Sequence, residues 1–525
     1  MSTNDLNGRT DPVQNLTLEN LLDPRILEEM AGAYFPELQP REYAVQGFSN
    51  ENTVTDVQNV GTGFTFLNDS DFIRAIPKAF EEDAATYGTD TYGITPYYAG
   101  LQGEWFSPVV LPKTASTAAF SVEEVRRDFP ILSEKVNGKD LIWLDNAATT
   151  QKPNKVIDRI SYFYRHENSN VHRAAHALAA RTTDAYEGAR QTIGKFINAS
   201  SSQEIVFVRG TTEAINLVAQ TYGKANIREG DEIIISWLEH HANIVPWQLL
   251  CAETGAKLRV IPVDESGQII LGELQRLLGP RTKIVSVTHV SNALGTVTPV
   301  AEIVDMAHRY GAKVLIDGAQ GASHLKTDMQ VWDCDFYVFS GHKIYGPTGI
   351  GVLYGKSELL KYMIPYQGGG NMIADVTFER TIYENPPHRF EAGTGNIADA
   401  IGLGAAIEYV SGLGIENIYA YEHNLLEYGM EALRKISGLQ LIGTASDKTS
   451  VLSFILKGFS NEEVGKALSE EGIAVRAGHH CAQPILRRYC LEGTVRPSIA
   501  FYNTYGEIDA LTAVLKNLVA NKSFY

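Results

Sequence analysis

A lysine in the segment Ser-Gly-His-Lys-Ile-Tyr-Gly (340–346) directly follows an apolar run at residues 336–339 that has the composition of a buried strand. An amine at a strand end, flanked by small residues, can form a Schiff base with a cofactor that carries a carbonyl group. Ser340 and His342 can donate hydrogen bonds to a phosphate group on such a cofactor. A solvated lysine on a glycine-rich turn has the same local pattern, so Lys343 alone does not decide the chemistry.

An acidic residue, Asp317, follows a second apolar run at residues 313–316 and opens the sequence Asp-Gly-Ala-Gln. A carboxylate beside a pyridine nitrogen keeps that nitrogen protonated and makes the ring an electron sink. The carboxyl ends of strands form the edge at which open α/β sheets bind ligands. Gln320, three residues further on, can reach a phenolic oxygen of the same ring. An ordinary turn between strand and helix is the alternative interpretation.

Two further segments follow apolar runs in the same way. Residues 209–213, Arg-Gly-Thr-Thr-Glu, begin a helical pattern, and backbone N–H groups with the Thr211 and Thr212 hydroxyls suit a phosphate there. Simple N-capping by threonine accounts for the same residues. Residues 239–241, Glu-His-His, follow the next run, and an imidazole at that position can lie over a cofactor ring and move protons near neutral pH.

A cysteine, Cys481, lies in the segment Arg-Ala-Gly-His-His-Cys-Ala-Gln-Pro (476–484). The thiolate is the reactive form of cysteine, and the two histidines and Arg476 nearby favour it. Cys251 and Cys334 lie in the apolar surroundings that are typical of inert buried cysteines. Zinc ligation by the histidines and Cys481 is a competing interpretation. Adjacent residues rarely form a tetrahedral site and no spaced ligand pair is present, so no metal site is predicted.

The elements that must position these residues alternate between apolar, β-rich runs and helical patterns. Strands are predicted at residues 205–208, 232–235, 284–287, 313–316 and 336–339. Helices are predicted between and after them, including residues 213–221, 300–310, 398–411 and 419–436. Continuous apolar strands separated by helices predict a mostly parallel sheet covered on both faces. The predicted fold class is therefore α/β, with a large domain followed by a smaller α+β C-terminal domain.

With these segments in one order along the chain, the sequence resembles the class V, fold type I enzymes that use pyridoxal 5'-phosphate (PLP), and more narrowly the SufS-like (group II) cysteine desulfurases. The resemblance covers about residues 120–525. The matching segments are LDNAATTQKP (144–153), FVRGTTEAINLVA (207–219), EHHANIVPWQ (239–248), THVSNALGT (288–296), DGAQ (317–320), FSGHKIYGPTGIG (339–351), RFEAGT (389–394) and VRAGHHCAQP (475–484).

The resemblance implies a PLP site and assigns roles to its residues. Lys343 forms the Schiff base, Asp317 pairs with the pyridine nitrogen and Gln320 contacts the phenolic oxygen. His240 stacks on the ring and is a plausible acid at the leaving side. The implied phosphate contacts are Thr211, Thr212, Ser340 and His342, together with Thr394, which in the family reaches the phosphate of the neighbouring subunit. A homodimer is therefore expected.

The same resemblance implies a substrate and a reaction. Arg496 binds the carboxylate of L-cysteine, Asn292 lies near the cofactor and that carboxylate, and Arg476 lies beside the entrance. The Cys481 thiolate attacks the substrate sulfur and becomes a persulfide, and alanine leaves. A compact segment around the nucleophile implies a sulfur-acceptor protein of the SufE or SufU type.

Other functions remain open at this level. Selenocysteine lyase, cysteine sulfinate desulfinase and cystine lyase share nearly all the cofactor residues. Aminotransferases and kynureninase of the same fold lack the reactive loop cysteine. A scaffold protein that kept an inactive enzyme body is a hypothesis of a different class, and the presence of every expected cofactor residue argues against it.

The N-terminal fifth is a different kind of sequence. The formal net charge of the chain is −17, which argues against nucleic acid as the main partner. Residues 1–118 carry much of that charge, because they contain 17 acidic and only 6 basic residues. An amphipathic helix is predicted at residues 21–38, whereas the rest reads either as a disordered leader or as short recognition segments that order on a partner. The leader resembles cargo-loading extensions of cysteine desulfurases packaged in encapsulin shells, which implies an encapsulin shell protein as partner.

The predicted boundaries are residues 1–118 for this extension, 119–400 for the PLP-binding domain and 401–525 for the C-terminal domain with the cysteine loop. Residues 119–140 are expected to contribute to the small domain. Ser121 and Glu124 form a predicted capping box at the start of the folded body. The start of the chain has no signal-peptide pattern, no long apolar run indicates a membrane span, and the four cysteines suit a reducing cytoplasm.

Overall fold

The computed structural model describes residues 121–172 and 176–522. The predictions for the acidic extension, including the helix at 21–38, lie outside these residues. The described helices are α1 (Val122–Arg127), α2 (Asn154–His166), α3 (Ala177–Phe196), α4 (Thr211–Val218), α5 (Lys224–Asn226), α6 (Val245–Thr254), α7 (Leu271–Leu277), α8 (Val300–His308), α9 (Met329–Trp332), α10 (Ser357–Leu360), α11 (Ile397–Leu413), α12 (Ile415–Arg434), α13 (Asn461–Glu470), α14 (Gln483–Arg488) and α15 (Tyr505–Lys522).

Short strands accompany the long ones of the central sheet. The described strands are β1 (Lys135–Val136), β2 (Lys139–Asp140), β3 (Ile142–Trp143), β4 (Ile205–Val208), β5 (Glu232–Ser236), β6 (Lys257–Ile261), β7 (Thr282–Thr288), β8 (Lys313–Asp317), β9 (Phe336–Ser340), β10 (Gly351–Gly355), β11 (Ile373–Val376), β12 (Thr381–Tyr383), β13 (Leu439–Leu441), β14 (Phe454–Leu456), β15 (Ile473–Ala474), β16 (Arg476–Gly478) and β17 (Thr494–Arg496).

The central sheet has seven strands in the order β4-β10-β9-β8-β7-β5-β6. The pairs from β9 to β6 are parallel, whereas β10 runs antiparallel to both of its neighbours, β4 and β9. The predicted α/β class with a mostly parallel sheet is confirmed. All five predicted strands are present within a residue or two of their expected bounds, while β10 and β6 had not been predicted.

Successive residues of the sheet strands enter two different apolar clusters. On β4, Ile205 and Phe207 belong to one cluster, whereas Val206 and Val208 belong to the other. Strand residues point alternately to opposite faces, so the two clusters are the cores on the two faces of the sheet. This double burial explains why the strands read as unbroken apolar runs rather than as alternating patterns.

A second, antiparallel sheet of four strands, in the order β13-β14-β17-β16, lies in the C-terminal part of the chain. It has its own apolar cluster, which includes Leu425, Phe454, Val495 and Leu511. β3, which precedes the large sheet in sequence, pairs in parallel with β15 of this C-terminal part. The boundary near residue 400 stays a prediction.

The predicted helix bounds need small corrections. The helix predicted at 213–221 begins two residues earlier, at Thr211, and continues into a π-helix (Ala219–Gly223). α8 ends at His308 rather than at 310. At the start of α1, the Glu124 N–H donates to Ser121 Oγ at 3.4 Å, which is the N-cap half of the predicted capping box.

α11 is nearly all apolar and is buried along most of its length, packed against α2 and α3. Among the described residues, no single helix is long and apolar enough to cross a membrane. α11 and α12 pass that test only as a pair, bent by 73° at the break between them. The burial of α11 accounts for its composition.

Candidate active site

The carboxyl ends of the central strands open onto a cavity of about 210 Å³. Nearly all of the predicted site residues line it: Thr211, Thr212, His240, Asn292, Asp317, Gln320, Ser340, His342, Lys343, Arg476 and Arg496. Two predicted site residues do not. Cys481 is next to the lining residue His480, and Thr394 is exposed in the loop before α11.

One end of the cavity is built from the N-terminus of α4 and the end of β9. The Thr211 N–H donates to Ser340 Oγ at 2.9 Å, and the two hydroxyl oxygens are also 2.9 Å apart. A Cβ on Gly210 would lie 3.2 Å from Ser340 Oγ, so glycine permits this close approach. The free N–H groups of the first helical turn and the hydroxyls together form an anion site.

His342 lies beside this end of the cavity. Burial, and then the positive charge of Lys343, lower its pKa to about 4. Its Nδ1 is 3.3 Å from Thr149 Oγ1. The imidazole is therefore neutral at physiological pH and keeps one N–H to donate, as a phosphate contact requires.

Asp317 and Lys343 provide the acid and the amine of the site. Burial raises the pKa of Asp317, which is 3% exposed, while the N–H of Ala319 and the Lys343 amine act in the opposite direction. The side chain of Lys343 is half-buried at the cavity. Burial of its amine lowers its pKa to about 8, although the negative charge of Asp317 acts in the opposite direction. An amine with a pKa near 8 has a substantial neutral fraction, which is the nucleophilic and basic form.

The Asp-Gly step of the motif has a steric origin. A Cβ on Gly318 would lie 2.0 Å from the ring of Tyr337, so only glycine fits after the acid. The Gln320 Nε2 donates to the carbonyl of Ala147 at 2.7 Å, which fixes the orientation of the amide. Ala147 lies in the LDNAATTQKP segment, so that segment forms part of the cavity wall.

His240 follows β5 and faces the same cavity. Burial, and then Lys343, lower its pKa to about 3, and its Nδ1 accepts the N–H of Ala242 at 3.0 Å. The ring is therefore neutral with the proton on Nε2. Beneath it, the fully buried Glu239 accepts hydrogen bonds from Ser236 at 2.5 Å and Asn243 at 2.6 Å.

Arg496, at the end of β17, lies deep in the site. Its Nη1 donates to the carbonyl of Asn292 at 2.9 Å, and its Nη2 lies 3.1 Å from Asp145 Oδ1. Burial lowers its pKa to about 10, so it stays charged at neutral pH. Arg476 pairs with Arg496 across β16 and β17, which places two guanidinium groups on one wall. That wall suits a carboxylate.

Cys481 lies on a strained loop beside the cavity. His480 and Cys481 have φ angles of 53° and 54°, in the left-handed region that costs non-glycine residues about 1–2 kcal/mol each. Long-range hydrogen bonds hold this conformation. Asn292 Nδ2 donates to the carbonyl of His480 at 2.7 Å, and the N–H of His241 donates to the carbonyl of Cys481 at 2.9 Å. Strain of this kind is characteristic of functional sites.

The residues of the cavity fit a PLP molecule. A cavity with a basic amine, a buried carboxylate on a strand end, an anion site and a neutral imidazole contains the donor and acceptor types that this cofactor needs. Among the described residues, several buried polar atoms of the site have no protein partner: Asn292 Oδ1, His480 Nδ1 and Arg496 Nε. Buried polar atoms usually have a partner, so these three atoms are available to a ligand in the cavity.

Sequence reasoning missed three residues of the site. Asp145 pairs with Arg496, His480 lines the cavity with its pKa lowered to about 2 by burial, and Glu239 lies beneath His240. Each lies in a segment that carried the family resemblance, but no local pattern showed which neighbour it would meet. Glu239, an acid directly after the apolar residues Trp237 and Leu238, carried the one available local signal.

A histidine–glutamate group lies away from the cavity. Ligand atoms of His172, Glu187 and His388 lie within 4.8 Å of one another. Glu187 also accepts a hydrogen bond from Arg190 Nε at 2.9 Å, and that guanidinium opposes a second cation. The carboxylate is therefore already neutralised by the protein.

Comparison with known proteins assigns the chain to a class. The family described as aminotransferase class-V matches residues 142–511. The fold of the chain and the cavity at its strand ends agree with that family. The chain is therefore a PLP-dependent enzyme of fold type I.

Relatives with known names narrow the class. A cysteine desulfurase of Synechococcus elongatus is 67% identical over 458 residues, covering 87% of this chain and 71% of its own length. A cysteine desulfurase of Shigella sonnei is 52% identical over 400 residues, covering 76% of this chain and 98% of its own length. The solved structure of the cysteine desulfurase CsdA of Escherichia coli, in an S-sulfonic acid form, has a TM-score of 0.72 at 41% identity and covers 76% of this chain and 99% of its own. The chain belongs to the cysteine desulfurase family.

Proposed function

We propose that this cysteine desulfurase is SufS-like and that it passes the sulfur of L-cysteine to Cys481. The observation that supports this most directly is the position of the nucleophile. Hydrogen bonds from the backbone N–H of His241 and from the side-chain amide of Asn292 hold the Cys481 loop next to the cavity that Lys343 lines. A short, fixed loop suits attack on a sulfur bound at one place in the cavity.

Lys343 and Asp317 would hold the cofactor. When bound, PLP withdraws electrons from the substrate's α-carbon. Asp317 would stabilise a protonated pyridine nitrogen, and the neutral His240 would contact the ring. Lys343 would bind the cofactor's carbonyl carbon and, once free, would remove the α-proton of the substrate, a role that a pKa of about 8 suits at neutral pH. The anion site at Thr211 and Ser340 fixes the phosphate.

The substrate carboxylate is proposed to bind Arg496. Its Nε has no protein partner among the described residues, and Arg476 adds positive charge on the same wall. Asp145 binds Nη2 and the carbonyl of Asn292 binds Nη1, which fixes the Arg496 guanidinium and leaves its Nε for the substrate. This contact orients the β-carbon and its sulfur toward the cysteine loop.

Sulfur transfer then joins two sulfur atoms. The Cys481 thiolate attacks the substrate sulfur, an S–S bond forms, and the bond between the β-carbon and sulfur breaks with its electron pair on carbon. A proton delivered to that carbon, for which His240 Nε2 is the proposed donor, and return of the α-proton from Lys343 complete alanine. Cys481 is left as a persulfide, so the atoms balance without an external oxidant.

The experiment for this step replaces Cys481 by serine, with Cys490→Ser as the matched control at an exposed cysteine. We expect Cys481→Ser to keep bound cofactor while alanine formation from cysteine falls by on the order of 10³-fold. Cys490→Ser should be unchanged. Wild-type alanine formation by Cys481→Ser would show that the sulfur leaves without this thiol.

Related substrates remain as second candidates. A selenocysteine lyase, a cysteine sulfinate desulfinase or a cystine lyase would use the same pocket. Comparing kcat/KM for cysteine, selenocysteine, cysteine sulfinate and cystine in wild type and Cys481→Ser separates them. Dependence on Cys481 should be largest for cysteine, because only that reaction needs the thiol as sulfur acceptor.

A homodimer and an acceptor protein are further parts of the proposal. Thr394 is exposed and outside the cavity of its own subunit, which suits a contact with the phosphate of a neighbouring subunit. Analytical ultracentrifugation tests the dimer, and a Thr394→Ala variant with weakened cofactor binding would support the shared site. An acceptor of the SufE or SufU type would raise turnover by removing the persulfide. A cytoplasmic location stays a prediction from cysteine usage.

The acidic extension is proposed to dock to an encapsulin shell. The match to the Synechococcus elongatus relative spans 458 residues, more than lie between residue 121 and the C-terminus, so part of the extension is matched too. The Shigella sonnei enzyme, by contrast, is matched over almost its whole length with 400 residues. The extension is therefore an addition to a desulfurase body that some relatives share.

Deleting residues 1–115 tests the docking. Co-expressed with an encapsulin shell protein, full-length chain should co-purify with shells on size exclusion, and the deleted chain should not. Desulfurase activity of the deleted chain should stay within about two-fold, since all the proposed site residues lie after residue 121 and outside the deletion. Loss of activity on deletion would place the extension in the catalytic assembly instead.

A further inference from the structure

Four consecutive backbone carbonyls, those of residues 292–295, each accept a hydrogen bond from the C-terminal part of the chain. This stretch, the 292–295 segment, follows the central strand β7. Its donors are, in order, Arg496 Nη1, Ser453 Oγ, Lys448 Nζ and the N–H of Thr449. Arg496 is assigned to the substrate above, but the other donors have no part in the mechanism.

The first residue of the 292–295 segment reaches the nucleophile loop. Asn292 Nδ2 donates to the carbonyl of His480 at 2.7 Å, and that carbonyl belongs to the peptide that joins His480 to Cys481. Both of these residues have left-handed backbone. A shift of the 292–295 segment would therefore be transmitted directly to the peptide preceding the thiol.

Lys448 is the unusual member of the set of donors. It is 4% exposed, its amine also donates to the carbonyl of Gly443 at 3.0 Å, and within the described ranges no carboxylate forms an ion pair with it. Burial lowers its pKa to about 7. A buried amine without an acidic partner is costly, whereas an apolar side chain would fill the same volume without that cost.

The backbones on the two sides are also in close contact. A Cβ on Gly295 would lie 2.5 Å from the carbonyl oxygen of Thr449, and one on Gly443 would lie 2.7 Å from Leu294 Cβ. Neither position could carry a side chain without moving the neighbouring chain. Lys448 thus stabilises one position of the tightly packed 292–295 segment, and its role is not only to fill space in the core.

We propose that Lys448 is a positioning residue for the sulfur-transfer step, holding the 292–295 segment so that Asn292 keeps the Cys481 loop in its attacking conformation. This rests on the proposed role of Cys481 as sulfur acceptor. Lys448 touches neither substrate nor cofactor, and its effect passes through backbone carbonyls.

The test uses the full-length holoenzyme with Lys448→Met, which removes the donors, Lys448→Arg, which keeps them, and Lys435→Met as a control at an exposed lysine. Cofactor absorbance, its change on adding cysteine, and steady-state alanine formation are measured first. The rate of Cys481 alkylation by iodoacetamide is then measured by peptide mass spectrometry, with the exposed Cys490 as internal reference.

For Lys448→Met we expect kcat to fall about ten-fold, the effect of an unsatisfied buried carbonyl, with KM within about two-fold. The cofactor signal and its response to cysteine should keep wild-type rates, because they do not need the thiol. Alkylation of Cys481 relative to Cys490 should rise at least about three-fold as the loop loosens. Lys448→Arg should stay within about three-fold of wild type, and Lys435→Met should be unchanged.

Wild-type kcat and alkylation in Lys448→Met would overturn the proposal. The proposal would also be overturned if Lys448→Met and Lys448→Arg lost cofactor binding equally and raised Cys481 alkylation equally. That result would mark a merely structural role for Lys448. If Lys448→Met fails to fold, Ser453→Ala decides: a lower kcat with normal cofactor absorbance supports the proposal, and wild-type kcat overturns it. The alkylation readout does not require Cys481 to be the acceptor, so it separates this idea from failure of the proposed function, which Cys481→Ser tests.

Discussion

The cofactor pocket and the nucleophile loop lie side by side but are held in place in different ways. In the pocket, most of the side chains end or follow a central strand: Asp317 ends β8 and Ser340 ends β9. Arg476 and Arg496 lie on the C-terminal sheet instead. At the loop, Cys481 is positioned by groups from residues 241 and 292, far away in sequence. One region is fixed by regular structure, and the other by hydrogen bonds to a strained backbone.

The energies of the loop are closely balanced. Two left-handed non-glycine residues cost about 1–2 kcal/mol each, and a buried hydrogen bond contributes about 1 kcal/mol net. Loss of one or two of these bonds is therefore enough to release the loop. In the pocket, Asp317 and Ser340 are instead held by strands with apolar cores on both faces. Variants should consequently separate the two regions.

The largest effect is expected from Lys343→Ala. The cofactor should be lost on gel filtration and alanine formation should fall by at least about 10³-fold, because the covalent anchor and the base disappear together. Cys481 alkylation in the cofactor-free variant should match that of cofactor-free wild type. Lys361→Ala, at an exposed lysine, is the control. A change in alkylation would mean that the pocket and loop are not separable.

Much of the pocket could be predicted from the sequence because its side chains lie at the ends of regular strands. Strand-end residues are marked by a local pattern, an apolar run followed by a polar motif, so Lys343, Asp317 and the threonines could be placed from sequence. The fold class followed from the same runs. β10 had not been predicted, and its place in the sheet depends on pairing with β4, which is distant in sequence, as well as with the neighbouring β9.

The loop was less accessible to sequence reasoning. Cys481 was identified through its motif. Its left-handed backbone and the hydrogen bond from Asn292 to the carbonyl of His480 depend on contacts across about 190 residues. The pairing of Asp145 with Arg496 was missed for the same reason. Non-local hydrogen bonds leave no periodic signal in a sequence.

Asp317→Asn should lower kcat by on the order of 10²–10³-fold, since the ring loses the negative charge that stabilises its protonated nitrogen. Lys343 should still retain the cofactor, so the variant stays coloured. The measurement is kcat for alanine formation, against Asp305→Asn as an exposed control. A loss of less than about five-fold would contradict the role of the carboxylate.

A smaller effect is expected from Asn292→Ala, which leaves the carbonyl of His480 without its donor. An unsatisfied buried carbonyl costs about 1–3 kcal/mol, so kcat should fall about ten-fold or more while cofactor absorbance is unchanged. Faster alkylation of Cys481 should accompany the loss. Lost cofactor with unchanged alkylation would reverse the assignment of Asn292 to the loop.

The smallest effect concerns pH. Burial lowers the pKa of His289 to about 3. Below about pH 6.5 this histidine therefore binds a proton in the unfolded chain but stays neutral in the folded chain. Stability is then lost progressively as the pH falls toward 3, with a slope of up to about 1.4 kcal/mol per pH unit for this group. The free energy of unfolding of His289→Gln should depend less steeply on pH between 6 and about 4. An unchanged slope would show that His289 does not contribute.

Sulfur transfer to Cys481 is tested most directly by a single turnover. Holoenzyme is mixed with a substoichiometric amount of cysteine, quenched in acid and digested for mass spectrometry. We predict that the peptide containing Cys481 gains the mass of one sulfur atom in step with alanine, and that the peptide containing Cys490 does not. Alanine formed without that gain, or with the sulfur on another cysteine, would contradict the account.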